Sequence, residues 1–279
     1  MILVAGTLYL VPTPIGNLGD ISPRMAQALE QADFIAAEDT RVSIKLLNHL
    51  DIKKSMVTYH RHNCETSGKT ILERLLSGEN CALVTDAGMP AISDPGEELV
   101  ALCAEHGVTV ECIPGPCALV TALAVSGQPT RRFTFEGFLA MNKKNRRAHL
   151  ESLRTEERTM IFYEAPHKLC ATLKDLCDTF GADRPISLCR ELSKLHEQIL
   201  RTTIGGAMEY YEENSPKGEF VLVVRGAEPC EEQEITIEDG LALVERLREE
   251  GLSTKDAVKR AAKELGLSRN ELYDKAING

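Results

Sequence analysis

The fold of this chain follows from one loop, Val84-Thr85-Asp86-Ala87-Gly88-Met89-Pro90-Ala91-Ile92-Ser93-Asp94-Pro95-Gly96. The residues before it, Cys81 to Thr85, predict an apolar strand, and Glu97 begins a predicted helix. The loop between them is too long and too rich in proline to be a plain turn. Because open α/β sheets bind ligands at the carboxyl ends of their strands, we predict that this loop lines a ligand site.

Two further loops have the same setting. Val11-Pro12-Thr13-Pro14-Ile15-Gly16-Asn17-Leu18 follows a predicted strand at Thr7 to Val11. Pro114-Gly115-Pro116-Cys117-Ala118 follows another at Thr109 to Ile113. Three strand-to-loop-to-helix transitions in one half of the chain predict a single site that the three loops share.

Strands and helices alternate through this half, which is typical of an α/β protein with a largely parallel sheet. One more strand is predicted at Phe34 to Ala37. Ser22 is a suitable N-cap for the first helix, with Pro23 at its first position. The predicted helices are Pro23 to Gln31, Val42 to Leu50, Thr66 to Leu76, Glu97 to Glu105 and Ala118 to Val125. We assign an N-terminal α/β domain to residues 1–128.

The pattern changes after Gln128 and predicts a second α/β domain, with a mixed sheet, over residues 129–228. It begins with Phe133 to Leu139; its predicted strands are Thr159 to Tyr163, Ile186 to Cys189 and Phe220 to Arg225, with helices at Arg147 to Leu153 and His167 to Phe180. Residues 229–279 predict an acidic linker and a helical domain. Its predicted helices are Ile237 to Glu250, Thr254 to Leu265 and Ser268 to Ala276, and the last two flank Gly266 as in a helix-turn-helix.

The composition is that of a soluble globular protein, with 43% hydrophobic and 27% charged residues. No apolar run approaches the roughly 20 residues of a membrane-spanning helix, so no membrane partner is expected. The apolar start, Met1 to Val11, predicts a buried strand better than a signal peptide. A net charge of -10 argues against bulk attraction to nucleic acid, but Lys143-Lys144-Asn145-Arg146-Arg147 is a local basic segment.

The nine cysteines are scattered singly, mostly among apolar residues, and form no CxxC pair. This arrangement gives little support to a zinc site or a disulfide framework. Reduced, buried thiols in a cytoplasmic protein are the expectation.

Seven segments, in order, resemble the bacterial 16S ribosomal RNA ribose 2'-O-methyltransferases that modify a cytidine of the decoding centre, within the tetrapyrrole-methylase superfamily. The resemblance covers residues 7 to 226, and the ordered set is specific although any single segment is weak. The segments are Val11 to Leu18, Ala37-Glu38-Asp39-Thr40-Arg41, Tyr59-His60-Arg61-His62-Asn63, Asp86 to Gly96, Pro114-Gly115-Pro116, Phe162 to His167 and Cys189 to Lys194.

The resemblance implies two α/β domains of tetrapyrrole-methylase type that hold S-adenosylmethionine in a cleft between them. It also implies the small ribosomal subunit, with its 16S RNA, as substrate, and a homodimer. Members that methylate tetrapyrroles carry a glycine-rich first loop. Here Pro12, Pro14 and Ile15 stand in that loop, which favours the RNA branch.

The resemblance further implies which residues contact the methyl donor. The backbone of Gly88, Met89 and Pro90 would line it, with Asp86 and Ser93 as polar neighbours. Asp86 and Asp94 could instead cap their own loop. Pro14, Ile15, Cys117, Ala118, Tyr163 and Glu164 complete the expected donor site, although Cys117 and Ala118 could serve only as packing at a helix start.

Two side chains are candidates for catalysis, Glu164 and His60. Glu164 could accept a hydrogen bond from the methionyl amine or activate the ribose hydroxyl, or it could pair with Lys168. His60 and His62 alternate on a segment that we expect to be extended, which would place both on one side. A third ligand with suitable spacing is not evident, and methyl transfer needs no metal.

Substrate contacts are expected from cationic side chains suited to phosphate oxygens. Arg190 could instead form a solvated ion pair with Glu191. The basic segment is either a solvated loop or a contact with the RNA backbone. With no tryptophan, six tyrosines and seven phenylalanines, the sequence indicates no aromatic stacking platform, so an assembled subunit is favoured over free single strands. The expected substrate residues are Arg41, His62, Lys143, Lys144, Arg146, Arg147, Arg190 and Lys194.

Two other functions remain open. One is methylation of a tetrapyrrole precursor of cobalamin or siroheme, with the same fold and donor. The other is a helix-turn-helix regulator that uses the α/β body as a ligand sensor. The regulator would leave three site-forming loops without chemistry.

Overall fold

The computed structural model describes residues 5–228 and 236–278. The chain forms two compact units, Met1–Ala227 and Glu228–Gly279. The predicted acidic linker, Pro229 to Glu234, and the first four residues lie outside the described residues. Over the described ranges, the helices are too short or too polar to span a lipid bilayer.

The first half of the larger unit is built on a parallel sheet of five strands, ordered β3-β2-β4-β1-β5. The two strands β2 and β4 are continuous apolar runs that are buried throughout, as expected for the middle of a parallel sheet. The strands are β1 (Thr7–Leu10), β2 (Phe34–Ala37), β3 (Ser55–Thr58), β4 (Cys81–Val84) and β5 (Thr109–Cys112). The sequence did not predict β3, because this edge strand reads Ser-Met-Val-Thr and is only half-buried.

Helices cover both faces of this sheet, because alternate residues of each strand point to opposite sides. Phe34 and Ala36 pack with the apolar residues of α3 and α4, whereas Ile35 and Ala37 pack with those of α1 and α2. The helices are α1 (Pro23–Gln31), α2 (Thr40–His49), α3 (Cys64–Leu76), α4 (Glu97–Glu105) and α5 (Ala118–Ser126). The N-cap prediction is confirmed, since Ser22 Oγ accepts a hydrogen bond from Met25 N at 3.2 Å.

The second half contains a mixed sheet, ordered β6-β7-β10-β8-β9, in which only β6 and β7 are parallel neighbours. Its elements are β6 (Phe133–Phe138), α6 (Lys143–Ser152), β7 (Thr159–Glu164), α7 (Leu169–Phe180), β8 (Pro185–Arg190), β9 (Gln198–Thr203), α8 (Ile204–Glu213) and β10 (Phe220–Val224). The sequence analysis missed β9 and α8. Two adjacent glycines, Gly205 and Gly206, lower the helix propensity of α8.

Helix α5 links the two halves. It leaves the parallel sheet, and its Leu119, Ala122 and Leu123 pack on Ile161 and Val223 of the mixed sheet. Helices α6, α7 and α8 cover the opposite face of that sheet. The halves therefore share an apolar core in addition to a chain connection.

The smaller unit is a bundle of α9 (Ile237–Glu249), α10 (Thr254–Leu265) and α11 (Arg269–Asn278). Leu247, Val258 and Leu272 are buried among the three helices. Gly266 ends α10 with φ of +68°, a left-handed conformation that glycine adopts without strain. The predicted helical domain is confirmed.

The cysteines of the described ranges are free thiols. Cys81, Cys103 and Cys189 are buried as expected, but Cys112 and Cys170 are exposed, so burial was predicted too broadly. Cys230 lies outside the described residues.

The basic segment is not a loop, contrary to one interpretation of the sequence. Asn142 Oδ1 accepts hydrogen bonds from Lys144 N and Asn145 N and so caps α6, which begins at Lys143. One helical turn on, Arg146 Nη2 lies 2.6 Å from Asp175 Oδ2 on α7, and Arg147 Nε lies 3.4 Å from Asp175 Oδ1. These two cations hold α6 to α7.

Removing the carboxylate of Asp175 is expected to destabilise the larger unit strongly. Asp175 is only 5% exposed, and Asp175→Asn leaves the largely buried Arg146 guanidinium without its anion. We expect a loss of roughly 3 kcal/mol in the free energy of unfolding, measured by urea denaturation. Asp178→Asn is the matched control, since Asp178 is exposed and 3.6 Å from Arg147 Nη2, and should change it by less than about 0.5 kcal/mol. Equal effects of the two variants would contradict this assignment.

Candidate active site in the cleft

A cleft of about 560 Å³ lies between the two halves of the larger unit. This volume is within the range of small-molecule sites, roughly 300 to 1,000 Å³. The three loops singled out in the sequence all reach it. The residues that line it are Ile15, Glu38, Asp86 to Met89, Ile92 to Asp94, Cys117, Ala118, Phe138, Tyr163 to Pro166, Cys189, Leu192 and Glu219 to Val221.

The predicted donor residues are therefore brought together with two exceptions. Ile15, Asp86, Gly88, Met89, Ser93, Cys117, Ala118, Tyr163 and Glu164 are among the lining residues. Pro14 and Pro90 are not among the described lining residues; Pro14 is half-buried and Pro90 is buried. Each proline fixes its own backbone φ and so restricts the conformation of its loop without facing the cleft.

Backbone hydrogen bonds join the loop after β1 to the loop after β4. Thr13 N donates to Gly88 O at 2.9 Å, and Gly88 N donates to Thr13 O at 3.0 Å. Thr13 Oγ1 also donates to Thr85 O at 3.1 Å. Gly88 has φ of +90°, and a Cβ there would lie 3.4 Å from Ile15 Cγ2. The position requires glycine for its backbone conformation more than for space.

The rest of the loop after β4 is held in an unusual conformation. Ala91 and Ser93 have positive φ, at 66° and 65°. Arg61 Nη2, from the segment before α3, donates to the carbonyl oxygen of Ser93. Non-glycine residues with positive φ persist only where the surroundings impose them, so this loop stores strain at the cleft.

Three carboxylates line this side of the cleft, Glu38, Asp86 and Asp94. Burial raises the pKa of Asp94 to about 6, the charge of Glu38 adds to the rise, and Arg61 opposes it. Burial, followed by the charge of Asp86, raises the pKa of Glu38. Burial also raises the pKa of Asp86, although Asp86 Oδ1 accepts a hydrogen bond from Asp39 N at 3.2 Å.

Glu38 was not among the predicted site residues, and Asp94 was predicted only as a possible cap of its own loop. Glu38 follows β2 directly, and β2 is the neighbour of β4. The rule that found Asp86, a polar residue just past a strand's carboxyl end, would have found Glu38 as well. Asp94 required the path of the loop, which only the folded chain shows.

The opposite wall comes from β6, β7 and the turn after β7. Tyr163 accepts a hydrogen bond at its hydroxyl oxygen from Leu119 N, 3.1 Å away at the start of α5. Glu164 is 4% exposed, and its carboxylate accepts hydrogen bonds from Thr172 Oγ1 and Ala165 N. Thr172, rather than Lys168, is its side-chain partner, so the alternative pairing with Lys168 is not formed. Both carboxylate oxygens are occupied, which fixes the turn at the end of β7.

The two histidines do not lie on an extended segment. Residues 61–63 form a turn before α3, in which His60 N donates to Asn63 Oδ1 at 2.7 Å. His62 N in turn donates to His60 Nδ1 at 3.3 Å. His62 is exposed, and His60 lies close enough to Glu38 for its charge to lower the pKa of that carboxyl. Neither histidine is among the described lining residues.

The predicted substrate cations fall into two groups. Lys143 and Lys144 are exposed at the start of α6. The others have protein partners, as Arg146 and Arg147 do with Asp175. Arg41 pairs with Asp39, and this hydrogen-bonded pair lowers the pKa of the Asp39 carboxyl to about 2. Arg190 donates to Lys217 O and Gln198 Oε1, and Lys194 Nζ lies 2.8 Å from Glu191 and 2.9 Å from Glu219. The alternative ion pair of Arg190 with Glu191 is not formed, since Glu191 pairs with Lys194.

Known proteins share both the sequence and the fold. Residues 7–207 match the model of the tetrapyrrole (corrin/porphyrin) methylases. Residues 234–278 match that of the RsmI C-terminal HTH domain. A Synechocystis protein named ribosomal RNA small subunit methyltransferase I is 47% identical over 272 residues, which covers 98% of each chain. The chain belongs to this family. A member of the same name from Escherichia coli O157:H7 is 43% identical and covers 98% of this chain and 95% of its own.

Solved structures of the tetrapyrrole methylase fold extend the comparison. Diphthine synthase superposes with a TM-score of 0.60 at 15% identity, covering 79% of this chain and 90% of its own. Cobalt precorrin-4 methyltransferase superposes with 0.57 at 21% identity, covering 78% and 94%. At these identities the likeness shows the fold alone. The predicted fold class, two α/β halves with a C-terminal helical domain, is confirmed for this member of the family.

Neutralising Asp94 is expected to stabilise the protein at alkaline pH. The folded protein raises the pKa of Asp94 from 3.8 to about 6, so between these values the folded state keeps a proton that the unfolded state has lost. The free energy of unfolding therefore falls as pH rises through this window and stays lower above it. We expect Asp94→Asn to have a higher melting temperature than the parent at pH 8, with the difference shrinking as pH falls towards 4.

The measurement is thermal unfolding across that pH range. Asp178→Asn, a change at an exposed aspartate outside the lining residues, should show no such pH-dependent gain. A stability difference between Asp94→Asn and the parent that is constant with pH would show that ionisation of Asp94 is not its cause.

Proposed function

We propose that this chain transfers a methyl group from S-adenosylmethionine to the ribose 2'-hydroxyl of a cytidine in the decoding centre of 16S ribosomal RNA. The observation that carries the proposal is the near-complete coverage, at 42 to 47% identity, of relatives named ribosomal RNA small subunit methyltransferase I. The cleft supports it, because its chemistry suits a cationic donor. The substrate is the assembled small subunit, and the protein acts as a cytoplasmic homodimer.

The donor set of the cleft fits S-adenosylmethionine. The donor carries two cationic groups, a sulfonium and an ammonium, and Glu38, Asp86 and Asp94 supply anions on one wall. Its carboxylate suits the start of α5, where Cys117 gives no side-chain cap and the helix dipole is positive. Gly88 presents backbone without a side chain. When bound, the donor supplies an electrophilic methyl group on positively charged sulfur.

The protein's own groups must position the ribose and accept one proton. Asp94 lines the cleft, and its carboxylate has no hydrogen-bond donor within residues 5–228 and 236–278. We assign the proton of the ribose hydroxyl to the Asp94 carboxylate, which is ionised above pH 6. Glu164 positions the turn after β7 through one hydrogen bond to each carboxylate oxygen, and its remaining lone pairs leave it able to accept a hydrogen bond from the methionyl amine of the donor. His60 lies outside the described residues that line the cleft, close enough to Glu38 for its charge to lower the pKa of that carboxyl.

The test is incubation with radiolabelled S-adenosylmethionine and small subunits from a strain that lacks this enzyme. Label in 16S RNA, at a position resistant to alkali, would support donor, substrate and ribose attachment together. Label in a porphyrin precursor but not in subunits would replace the RNA substrate with a tetrapyrrole. Sequence-specific binding to duplex DNA without the donor, and no transfer, would favour the regulator.

Enlarging Gly88 is expected to weaken donor binding. Gly88→Leu adds a side chain beside Ile15 at a lining position and strains a backbone with φ of +90°. We expect the donor dissociation constant, measured by calorimetry, to rise at least about tenfold, or about 1.4 kcal/mol. Gly107→Leu is the matched control, because Gly107 also has a positive φ, of +68°, but has open space around it. Gly107 precedes β5 and so lies at the amino end of the strands, whereas Gly88 follows β4 at their carboxyl end. If both variants bind donor equally, Gly88 does not line the donor site.

Neutralising Lys143 and Lys144 together is expected to weaken subunit binding and leave donor affinity unchanged. If each contacts one phosphate, the slope of log affinity against log salt falls by about 1.4 for single-stranded RNA. Filter binding at several salt concentrations measures this slope. Neutralising Lys53 and Lys54 together is the control, since these lysines precede β3, an edge strand of the parallel sheet, whereas α6 belongs to the half with the mixed sheet. An unchanged slope for the Lys143→Ser, Lys144→Ser double variant would show that these lysines do not contact RNA phosphates.

A further inference from the structure

Phe138 is unusual among the aromatic residues of the larger unit, because it lines the cleft and is 55% exposed. Its neighbours on the same wall, Tyr163 and Phe220, are half-buried and buried. An exposed phenylalanine ring at the edge of a site has apolar surface available for a flat partner. Its exposure places it at the open side of the cleft rather than at its floor.

A bulge in β6 aims this ring. Phe135 pairs with Ile161, Gly137 with Phe162 and Phe138 with Tyr163, so the register shifts between Phe135 and Gly137. In a regular strand, residues three apart point to opposite faces. The extra residue of the bulge, with Gly137 at φ of +63°, puts Phe135 and Phe138 on the same face, towards Tyr163.

Tyr163 braces both phenylalanine rings. Its ring centroid lies 5.0 Å from that of Phe135 and 5.5 Å from that of Phe138, with edge-to-face angles of 69° and 64°. The hydroxyl of Tyr163 is held by Leu119 N, so the ring cannot swing away. Phe138 is thereby fixed from one side, and its exposed side faces outward.

Two lysines follow Phe138 in the sequence. Helix α6 begins five residues after Phe138, and Lys143 and Lys144 are exposed in its first turn. An exposed aromatic ring followed within six residues by two exposed lysines suits a nucleotide, whose base stacks and whose phosphates attract cations. Proteins that bind single-stranded loops of RNA receive unstacked bases on aromatic side chains such as phenylalanine.

We propose that Phe138 stacks on the base of the target nucleotide and so positions its ribose in the cleft. The inference rests on the proposed function and adds a substrate-positioning residue to it. It departs from the expectation from composition that the protein has no stacking platform, because one exposed ring, Phe138, is held in place by Tyr163.

The experiment compares the parent and four variants of the full chain in methyl transfer to small subunits. Phe138→Ala and Phe138→Leu, which remove the aromatic face, should lower kcat/KM for subunits by about tenfold or more. Phe138→Tyr should keep it near the parent value. The matched control is Phe133→Ala: Phe133 starts the same strand and is 40% exposed, but it is not among the described lining residues, so its kcat/KM should stay unchanged. Thermal unfolding checks that each variant is folded.

Donor affinity, measured by calorimetry with S-adenosylmethionine, distinguishes the base from the donor as the stacking partner. An unchanged donor affinity in Phe138→Ala, together with the loss in kcat/KM, supports the proposal. A fall in donor affinity that accounts for the whole loss overturns it, because the ring then packs on the donor. Equal transfer by the parent and Phe138→Ala also overturns it, whereas no transfer by the parent refutes the proposed function itself.

Discussion

The cleft depends on the pair of backbone hydrogen bonds between Thr13 and Gly88. They join the loops that leave β1 and β4, neighbours in the parallel sheet, and make one wall of two separate segments. The loop after β1 also meets the second half of the unit: Lys194 lies against Gly16, where a Cβ would be 2.3 Å from Lys194 Cγ, and Ser193 Oγ donates to Asp20 Oδ2. A displacement of Gly88 would therefore move the loop after β1 and, through it, the contacts with Ser193 and Lys194 in the second half of the unit.

The three acidic side chains on one wall of the cleft lower the free energy of unfolding when they are ionised. Glu38, Asp86 and Asp94 each have a raised pKa, so each carboxylate is less stable ionised in the fold than in water. Arg61 offsets part of this cost and also holds the Ser93 carbonyl. Groups that are partly desolvated and short of partners are typical of a site prepared for a ligand, and a cationic methyl donor would supply the missing charge. Glu164 on the other wall has a protein hydrogen bond on each carboxylate oxygen and so also holds the turn after β7.

The fold is shared by enzymes whose names indicate very different substrates, such as diphthine synthase and cobalt precorrin-4 methyltransferase. Fold alone therefore does not identify the substrate. In this chain β6 carries a bulge and exposes Phe138 in the cleft, and α6 presents Lys143 and Lys144 to solvent while Arg146 and Arg147 bind Asp175.

The sequence by itself determined the α/β alternation, the three ligand loops and the cap at Ser22, which follow from local signals: apolar periodicity, proline and glycine in loops, and the rule for carboxyl ends of strands. The resemblance of its motifs to a known family added nine of the lining residues. Tertiary structure alone decided the rest. The half-buried β3 and the glycine-containing α8 form because neighbours complete their packing. Arg146 binds Asp175, 29 residues away, and Asp94 and Phe138 reach the cleft through a strained loop and a bulge. Such outcomes depend on contacts between distant segments, and no local pattern of residue types encodes them.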